Sequence, residues 1–173
     1  MRSAEGPTRV DRSCVALRDT VCPGDVQIVR GLVASTGFFA AAEVDVAVEL
    51  VQEHLARGGA SGYFFIFAEL RGRTVGYACY GPIACTIGSY DLYWLAVDQA
   101  LRNCGLGRIL VKACEDRVAQ LGGRRMYIET AGRELYKPTQ AFYQRCGYQV
   151  EAVLRDFYSP GDPKIIYSKG LVP

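Results

Sequence analysis

The segment Leu95-Ala96-Val97-Asp98-Gln99-Ala100-Leu101-Arg102-Asn103-Cys104-Gly105-Leu106-Gly107-Arg108 brings together residue types suited to holding a phosphate. An apolar strand ends in a short loop with glycines at alternate positions, Gly105 and Gly107, and with arginines at Arg102 and Arg108. An amphipathic stretch follows, with Leu110, Cys114, Val118 and Leu121 at helical spacing. The first N–H groups of a helix have no partner inside it, and the helix dipole favours an anion there. Glycine lets that anion come close to the backbone. The junction therefore predicts a phosphate or pyrophosphate site. Two other phosphate loops fail on this sequence. One needs Gly-Lys-[Ser/Thr], but Gly107 is followed by Arg108-Ile109. The dinucleotide pattern Gly-x-Gly-x-x-Gly meets Leu110 at its third glycine, and its strand should open a βαβ unit rather than follow hairpins.

Other chemistries are narrowed by scarcity. The chain has one histidine, His54, which excludes most Ser-His-Asp and Cys-His mechanisms unless His54 is itself catalytic. Its place beside Leu55 on a helical stretch reads as a surface position. The seven cysteines, Cys14, Cys22, Cys79, Cys85, Cys104, Cys114 and Cys146, are odd in number and none is in Cys-x-x-Cys spacing. No metal site is expected. Scattered thiols fit a reducing compartment, where most act as small hydrophobes.

The elements that position the loop follow from periodicity and punctuation. Residues 1–12 read as a flexible tail and 13–173 as one domain. A short strand is predicted over Ser13 to Leu17. A helix starts near Asp25 and breaks at Ser35-Thr36-Gly37, and a second covers Glu43 to Arg57 with Val44, Val48, Val51 and Leu55 on one face. Strands follow at Tyr63 to Leu70, Thr74 to Tyr80 and Asp91 to Val97, the first two joined by a tight Arg71-Gly72-Arg73 connection. A third helix runs from Gly107 to Leu121, a strand from Arg125 to Thr130, and a fourth helix from Pro138 to Cys146, closed by Gly147. Tyr148 to Arg155 and Lys164 to Lys169 form a final antiparallel pair. The predicted order is β-α-α-β-β-β-α-β-α-β-β.

Composition bounds the function. The chain has 173 residues, is 50% hydrophobic and carries a net charge of +2. That suits one globular core and is too apolar for a disordered chain. The charge is too small for a nucleic-acid footprint, and no Lys/Arg run exceeds two residues. No apolar run approaches the roughly 18 residues of a membrane span. The first residues lack the apolar core of a secretory signal, so a cytoplasmic location is expected, with neither nucleic acid nor membrane as partner.

The pattern Arg-x-x-Gly-x-Gly at Arg102, Gly105 and Gly107 closely resembles the acyl-CoA loop of the GNAT superfamily of N-acetyltransferases. A second segment, Ala141-Phe142-Tyr143-Gln144-Arg145-Cys146-Gly147-Tyr148, is similar to the helix that ends Phe-Tyr-x-x-x-Gly-[Phe/Tyr] in that family, here with Ala directly before Phe-Tyr. The resemblance spans the chain from near Asp25 to the last strand. It implies an α/β (α+β) fold, with a mixed, mostly antiparallel sheet, splayed fourth and fifth strands and about four flanking helices.

The resemblance also implies roles. Acetyl-CoA is the implied cosubstrate, with direct transfer to a primary amine. Leu95, Ala96 and Val97 would offer strand backbone to its pantetheine arm. Arg102, Asn103, Cys104, Gly105, Leu106, Gly107 and Arg108 would wrap its pyrophosphate, with Cys104 contributing only its N–H. Thr130 and Tyr136 lie near the position whose side chain bonds that arm, often Asn in the family and absent here. Tyr143 occupies the acid position, to protonate the departing thiolate. Phe142, four residues before Cys146, is expected to be the better core residue. Asp91 stands where several members of the family carry a Glu base, acting directly or through water, although an ordinary Asp needs desolvation for that work; Asp98 and Glu129 are weaker candidates. The acceptor wall would draw on Phe38, Phe39, Tyr80, Tyr93 and Tyr158, with Glu43, Asp156 and Phe157 also available. Aromatic walls with acids suit an ammonium-bearing small molecule. A non-catalytic acyl-CoA-binding module and a protein N-terminal or lysine acetyltransferase stay open as alternatives. A homodimer is expected by analogy.

Overall fold

The computed structural model describes residues 11–171. The tail expected over residues 1–12 lies, apart from its last two residues, outside the described residues. The strands and helices come in the expected order: β1 (Val15–Arg18), α1 (Asp25–Ser35), α2 (Ala41–Arg57), β2 (Phe64–Leu70), β3 (Arg73–Pro82), β4 (Ser89–Val97), α3 (Leu106–Gln120), β5 (Arg125–Ala131), α4 (Lys137–Arg145), β6 (Gln149–Ser159) and β7 (Asp162–Gly170). The strands form one sheet in the order β1-β2-β3-β4-β5-β7-β6. β1–β2, β5–β7 and β6–β7 are antiparallel, and β4–β5 is parallel. The parallel register covers three pairs, Ser89↔Arg125, Tyr90↔Met126 and Asp91↔Tyr127. Among the described residues, no helix is long and apolar enough to cross a membrane.

Contacts divide the chain into two compact units. The first holds the described residues up to Cys79 together with Trp94–Ala113. Its core takes Val29, Leu32 and Val33 from α1, Val44, Ala47 and Val51 from α2, and Phe65, Phe67, Tyr77, Cys79 and Ala96 from the strands. The rings of Phe65 and Phe67 stack at 6.0 Å, and Tyr77 joins both. Buried Asp25 starts α1, takes two bonds of 2.9 Å from Arg18 and accepts the Cys22 N–H at 2.7 Å. A carboxylate here also faces the positive end of the helix dipole. α2 starts two residues before its expected start because the Glu43 carboxylate accepts the Ala40 N–H at 2.8 Å. This is half of a capping box; Ala40 has no side-chain oxygen for the other half. Glu43, offered above as a wall residue, is thus a cap. Leu55 is exposed, so the buried face of α2 is narrower than its spacing suggests. His54 is half-buried, with Nδ1 2.6 Å from the Tyr63 carbonyl and its ring edge-on to Phe65, which corrects the surface reading.

The second unit holds Tyr80–Tyr93 and the described residues from Cys114. Both helices that finish in it end in Schellman motifs. At α3, Gly122 N–H donates to Ala119 O and Gly123 N–H to Val118 O; at α4, Gly147 donates to Gln144 O and Tyr148 to Tyr143 O. Gly122 and Gly147 have φ of 78° and 90°. Gly123 is needed for space instead: a Cβ there would lie 2.3 Å from Val118 Cγ1 and 2.8 Å from Val118 O. Gly123→Ala is therefore expected to destabilise the protein by about 2 kcal/mol, read as a lower urea midpoint at unchanged slope. β6 ends the strand order and exposes Val150, Val153, Leu154, Phe157 and Tyr158. Of the seven cysteines, Cys79, Cys104 and Cys114 are buried, Cys146 is intermediate and the others are exposed. The hydrophobe reading thus holds for three rather than most.

Candidate functional site

In the first unit, the glycine loop is built by a chain of local bonds. Past the end of β4, Asp98 N–H donates to Val75 O at 2.8 Å. One Asp98 oxygen accepts the Ala100 N–H at 2.9 Å, and the other pairs with Arg73 at 3.0 Å. Asp98 is occupied as a turn cap, which removes it as a base. Asn103 and Gly105 both take left-handed backbone, φ 62° and 94°. Alternating hand turns successive N–H groups inward and makes an anion-binding concavity. Nothing lies within 4 Å of a Cβ built on Gly105, so its φ and not crowding calls for glycine. α3 then begins at Leu106, one residue before its expected start, and the N–H groups of Leu106, Gly107 and Arg108 have no acceptor within the helix.

Side chains anchor this loop in alternation. Cys104 and Leu106 are buried, while Asn103 and Arg108 are exposed. Cys104 Sγ donates to Arg102 O at 3.5 Å, so the thiol fixes the loop and is more than an incidental residue. Arg102 turns away from the loop. Its guanidinium donates to Thr36 O at 2.7 Å and lies 4.8 Å above the Phe38 ring. This ties the loop to the turn between α1 and α2. Phe39 packs on Trp94 at 4.9 Å. Leu95 and Val97 are half-buried and Ala96 is buried. The residues present thus fit a diphosphate through backbone N–H groups and Arg108, with Arg102 as brace.

The second unit gathers the proton-transfer candidates. Asp91 on β4 lies opposite Tyr127 on β5. Side chains alternate along a strand, so Glu129 shares that face. Glu129 in turn lies opposite Ile166 on β7, which puts Lys164 on the same face. Lys164 Nζ is 2.6 Å from Glu129 Oε2, 3.8 Å from the centre of the Phe157 ring and 5.8 Å from that of Tyr158. Burial raises the Asp91 carboxyl from its ordinary 3.8 to about 6; Glu129 adds to the rise and Lys164 opposes it. Glu129 stands out weakly in the sequence, and Lys164 is not among the residues its motifs single out. The available signal was the antiparallel return of the last strand beside β5.

Tyr143 is buried among the rings of Phe142, Tyr148 and Tyr167, at 5.2, 6.1 and 6.2 Å. Phe142 is only half-buried, so the expectation that it is the better core residue reverses. Burial pushes the Tyr143 phenol well above its ordinary value, and the neighbouring Cys146 thiol adds to this. Pro138 opens α4, and buried Gln140 donates to Ala131 O at 3.0 Å, fixing α4 to the end of β5. Thr130 is buried opposite Ile165. Tyr136 is buried with Arg133 5.5 Å over its ring. Tyr93 and Tyr158 are exposed, whereas Tyr80, 2% exposed, has no surface to offer an acceptor. Asp156, with φ 52°, accepts the Gly161 N–H at 2.7 Å and serves the β6–β7 turn.

The family model described as "Acetyltransferase (GNAT) family" matches residues 34–148. A crystal structure of a protein assigned to the GNAT family of acetyltransferases from Desulfovibrio desulfuricans is 49% identical; it aligns over 91% of this chain and 99% of its own, with a TM-score of 0.90. An aminoglycoside 6'-N-acetyltransferase complexed with coenzyme A is 21% identical over 92% and 97%, TM-score 0.72. The ribosomal-protein-S18-alanine N-acetyltransferase of Escherichia coli is 15% identical over 92% and 95%, TM-score 0.72. The last two share the fold. No curated protein matches the sequence.

Proposed function

The chain belongs to the GNAT family of acetyltransferases, and on that premise we propose that it transfers acetyl from acetyl-CoA to the primary amine of a small molecule. The observation that carries the acceptor class is the face shared by Asp91, Glu129 and Lys164, with Phe157 and Tyr158 beside it. Lys164 already pairs with Glu129 and lies against both rings, so on this face it is the Asp91 carboxylate, with the exposed Tyr93 two residues on, that attracts an ammonium. Acetyl-CoA supplies an acetyl group activated as a thioester. The chain's residues do the rest. The concavity at Asn103 to Arg108 receives the diphosphate. Asp91, raised to about 6, accepts the proton that the ammonium must lose before it can attack. Tyr143 holds its phenolic proton for the departing sulfur.

The two solved acetyltransferases of low identity act, by their names, on an aminoglycoside and on a ribosomal-protein alanine, so this fold accepts both small and macromolecular amines. The test is thiol release from acetyl-CoA across aminoglycosides, amino acids, polyamines and peptides with free N-termini. Turnover is expected with a small amine. Peptides as the better acceptors would overturn the small-molecule reading. Thermal stabilisation by CoA with no turnover on any amine would make the chain a non-catalytic binding module.

The cofactor assignment makes its own prediction. An L side chain at the φ of 94° of Gly105 is strained by about 1–3 kcal/mol. Gly105→Ala is expected to weaken CoA binding by about tenfold or more, measured by isothermal titration, with kcat at saturating acetyl-CoA nearly unchanged.

A further inference from the structure

Lys164 has no role in the proton transfers just described, yet it is more buried than the Glu129 carboxylate it pairs with. Its side chain is 14% exposed, against 48% for Glu129. Three groups fix the ammonium: Glu129 Oε2 at 2.6 Å, the Phe157 ring at 3.8 Å and the Tyr158 ring at 5.8 Å. The register sets all of this on the face of Asp91, through Asp91↔Tyr127 and Glu129↔Ile166. The titratable and charged groups on this face are Tyr93 from β4, Arg125, Tyr127 and Glu129 from β5 and Lys164 from β7, with Tyr158 and Glu151 reaching in from β6; Arg125 is paired with Glu151 at 3.0 Å. Without Lys164, two carboxylates would share a partly buried face, and like charges in such a place oppose each other's ionisation.

We infer that Lys164 is a positioning residue of the reaction: its ammonium, held by Glu129 and Phe157, favours the ionised, proton-accepting form of Asp91 before each transfer, and Glu129 opposes it, so that the pair sets the pH at which the base begins to work. The inference rests on the assignment of Asp91 as base. Lys164 acts through Asp91 and not on the acceptor, because Glu129 and the rings already enclose its charge. Burial, the first cause of the Asp91 shift, is left in place when Lys164 is changed; only the charge balance alters.

The experiment is the pH dependence of kcat/KM for the whole protein with the best acceptor from the amine panel. The variants are Lys164→Met, Lys164→Arg, Glu129→Gln, the Met/Gln double variant and Asp91→Asn. Lys164→Met is expected to move the acid limb to higher pH by about one unit, and Glu129→Gln to move it to lower pH by about half a unit. The double variant returns towards the wild-type midpoint, and Lys164→Arg, which keeps the charge, leaves it in place. A merely structural ion pair would lower rate or stability in both single variants without moving the midpoint in opposite directions. Midpoints unmoved in Lys164→Met and Glu129→Gln, with the limb abolished by Asp91→Asn, would overturn this inference and leave the base standing. A limb that persists in Asp91→Asn would overturn the base itself.

Discussion

Tyr143→Phe is expected to lower kcat by about a hundredfold or more while leaving CoA affinity unchanged. The size follows from the usual contribution of a positioned proton donor, about 10²–10⁴. The phenol is buried, and its ring is packed by Phe142, Tyr148 and Tyr167. Phe keeps that packing and removes only the hydroxyl, so stability should change by no more than about 1 kcal/mol. The upward push on its pKa has a mechanistic consequence. The group stays protonated through the working range and cannot titrate into an inactive form. Its burial makes the phenolate costly, so Tyr143 stabilises the leaving sulfur chiefly as a hydrogen-bond donor. Steady-state kinetics with CoA titration and a melting curve separate these effects. A kcat within about threefold of wild type at an unchanged melting temperature would return Tyr143 to the core as a packing residue.

The placement of Tyr143 shows what a single sequence makes legible. Gly147-Tyr148 after the helix is a local signal, and the Schellman bonds from Gly147 and Tyr148 confirm the end it marks. The same holds for Gly122-Gly123 after α3. Punctuation of this kind, with alternation along the strands, made the order of the eleven α-helices and strands among the described residues readable. The facing of a short helix was not readable. α4 has nine residues, and over so few the apolar stripe fits Phe142 or Tyr143 equally well. The packing of Tyr148 and Tyr167 decided between them.

The site residues divide in the same way. Asn103 to Arg108 form a continuous loop, and their use follows from short-range rules of backbone and charge. Arg102 does not, because its partner Thr36 is 66 residues away and only the fold brings them together. Glu43 was legible as a cap, three residues past Ala40, but an acid near two phenylalanines also suits an acceptor wall. Lys164 was hidden most completely. It becomes chemical only when β7 is laid antiparallel beside β5, and which residue then meets Glu129 depends on a register that one slip would reverse.

Asp91→Asn joins two effects of opposite sign, and their combination is what identifies a functional carboxylate. Activity is expected to fall by about a hundredfold or more at neutral pH. In the wild type, kcat/KM should rise with pH through a midpoint near the Asp91 value of about 6; in the variant this limb disappears. Stability should move the other way. The carboxyl is raised from 3.8 to about 6 in the folded protein, so between those values the folded state binds more protons than the unfolded one. Stability therefore falls as pH rises through that window, and above it the ionised carboxylate is a net cost. The shift corresponds to at most about 3 kcal/mol, and solvent screening of a half-buried group reduces the gain on removing it to about 1 kcal/mol. Asn is thus expected to stabilise the protein at pH 7 and to lose that advantage below about pH 4, where Asp91 is protonated in both states. Urea unfolding at pH 4 and pH 7, beside the pH–rate profile, reads both effects. A variant that loses activity and also loses stability at pH 7 would mark Asp91 as a structural residue, since a carboxylate held for catalysis against its own ionisation should leave the fold more stable when it is removed.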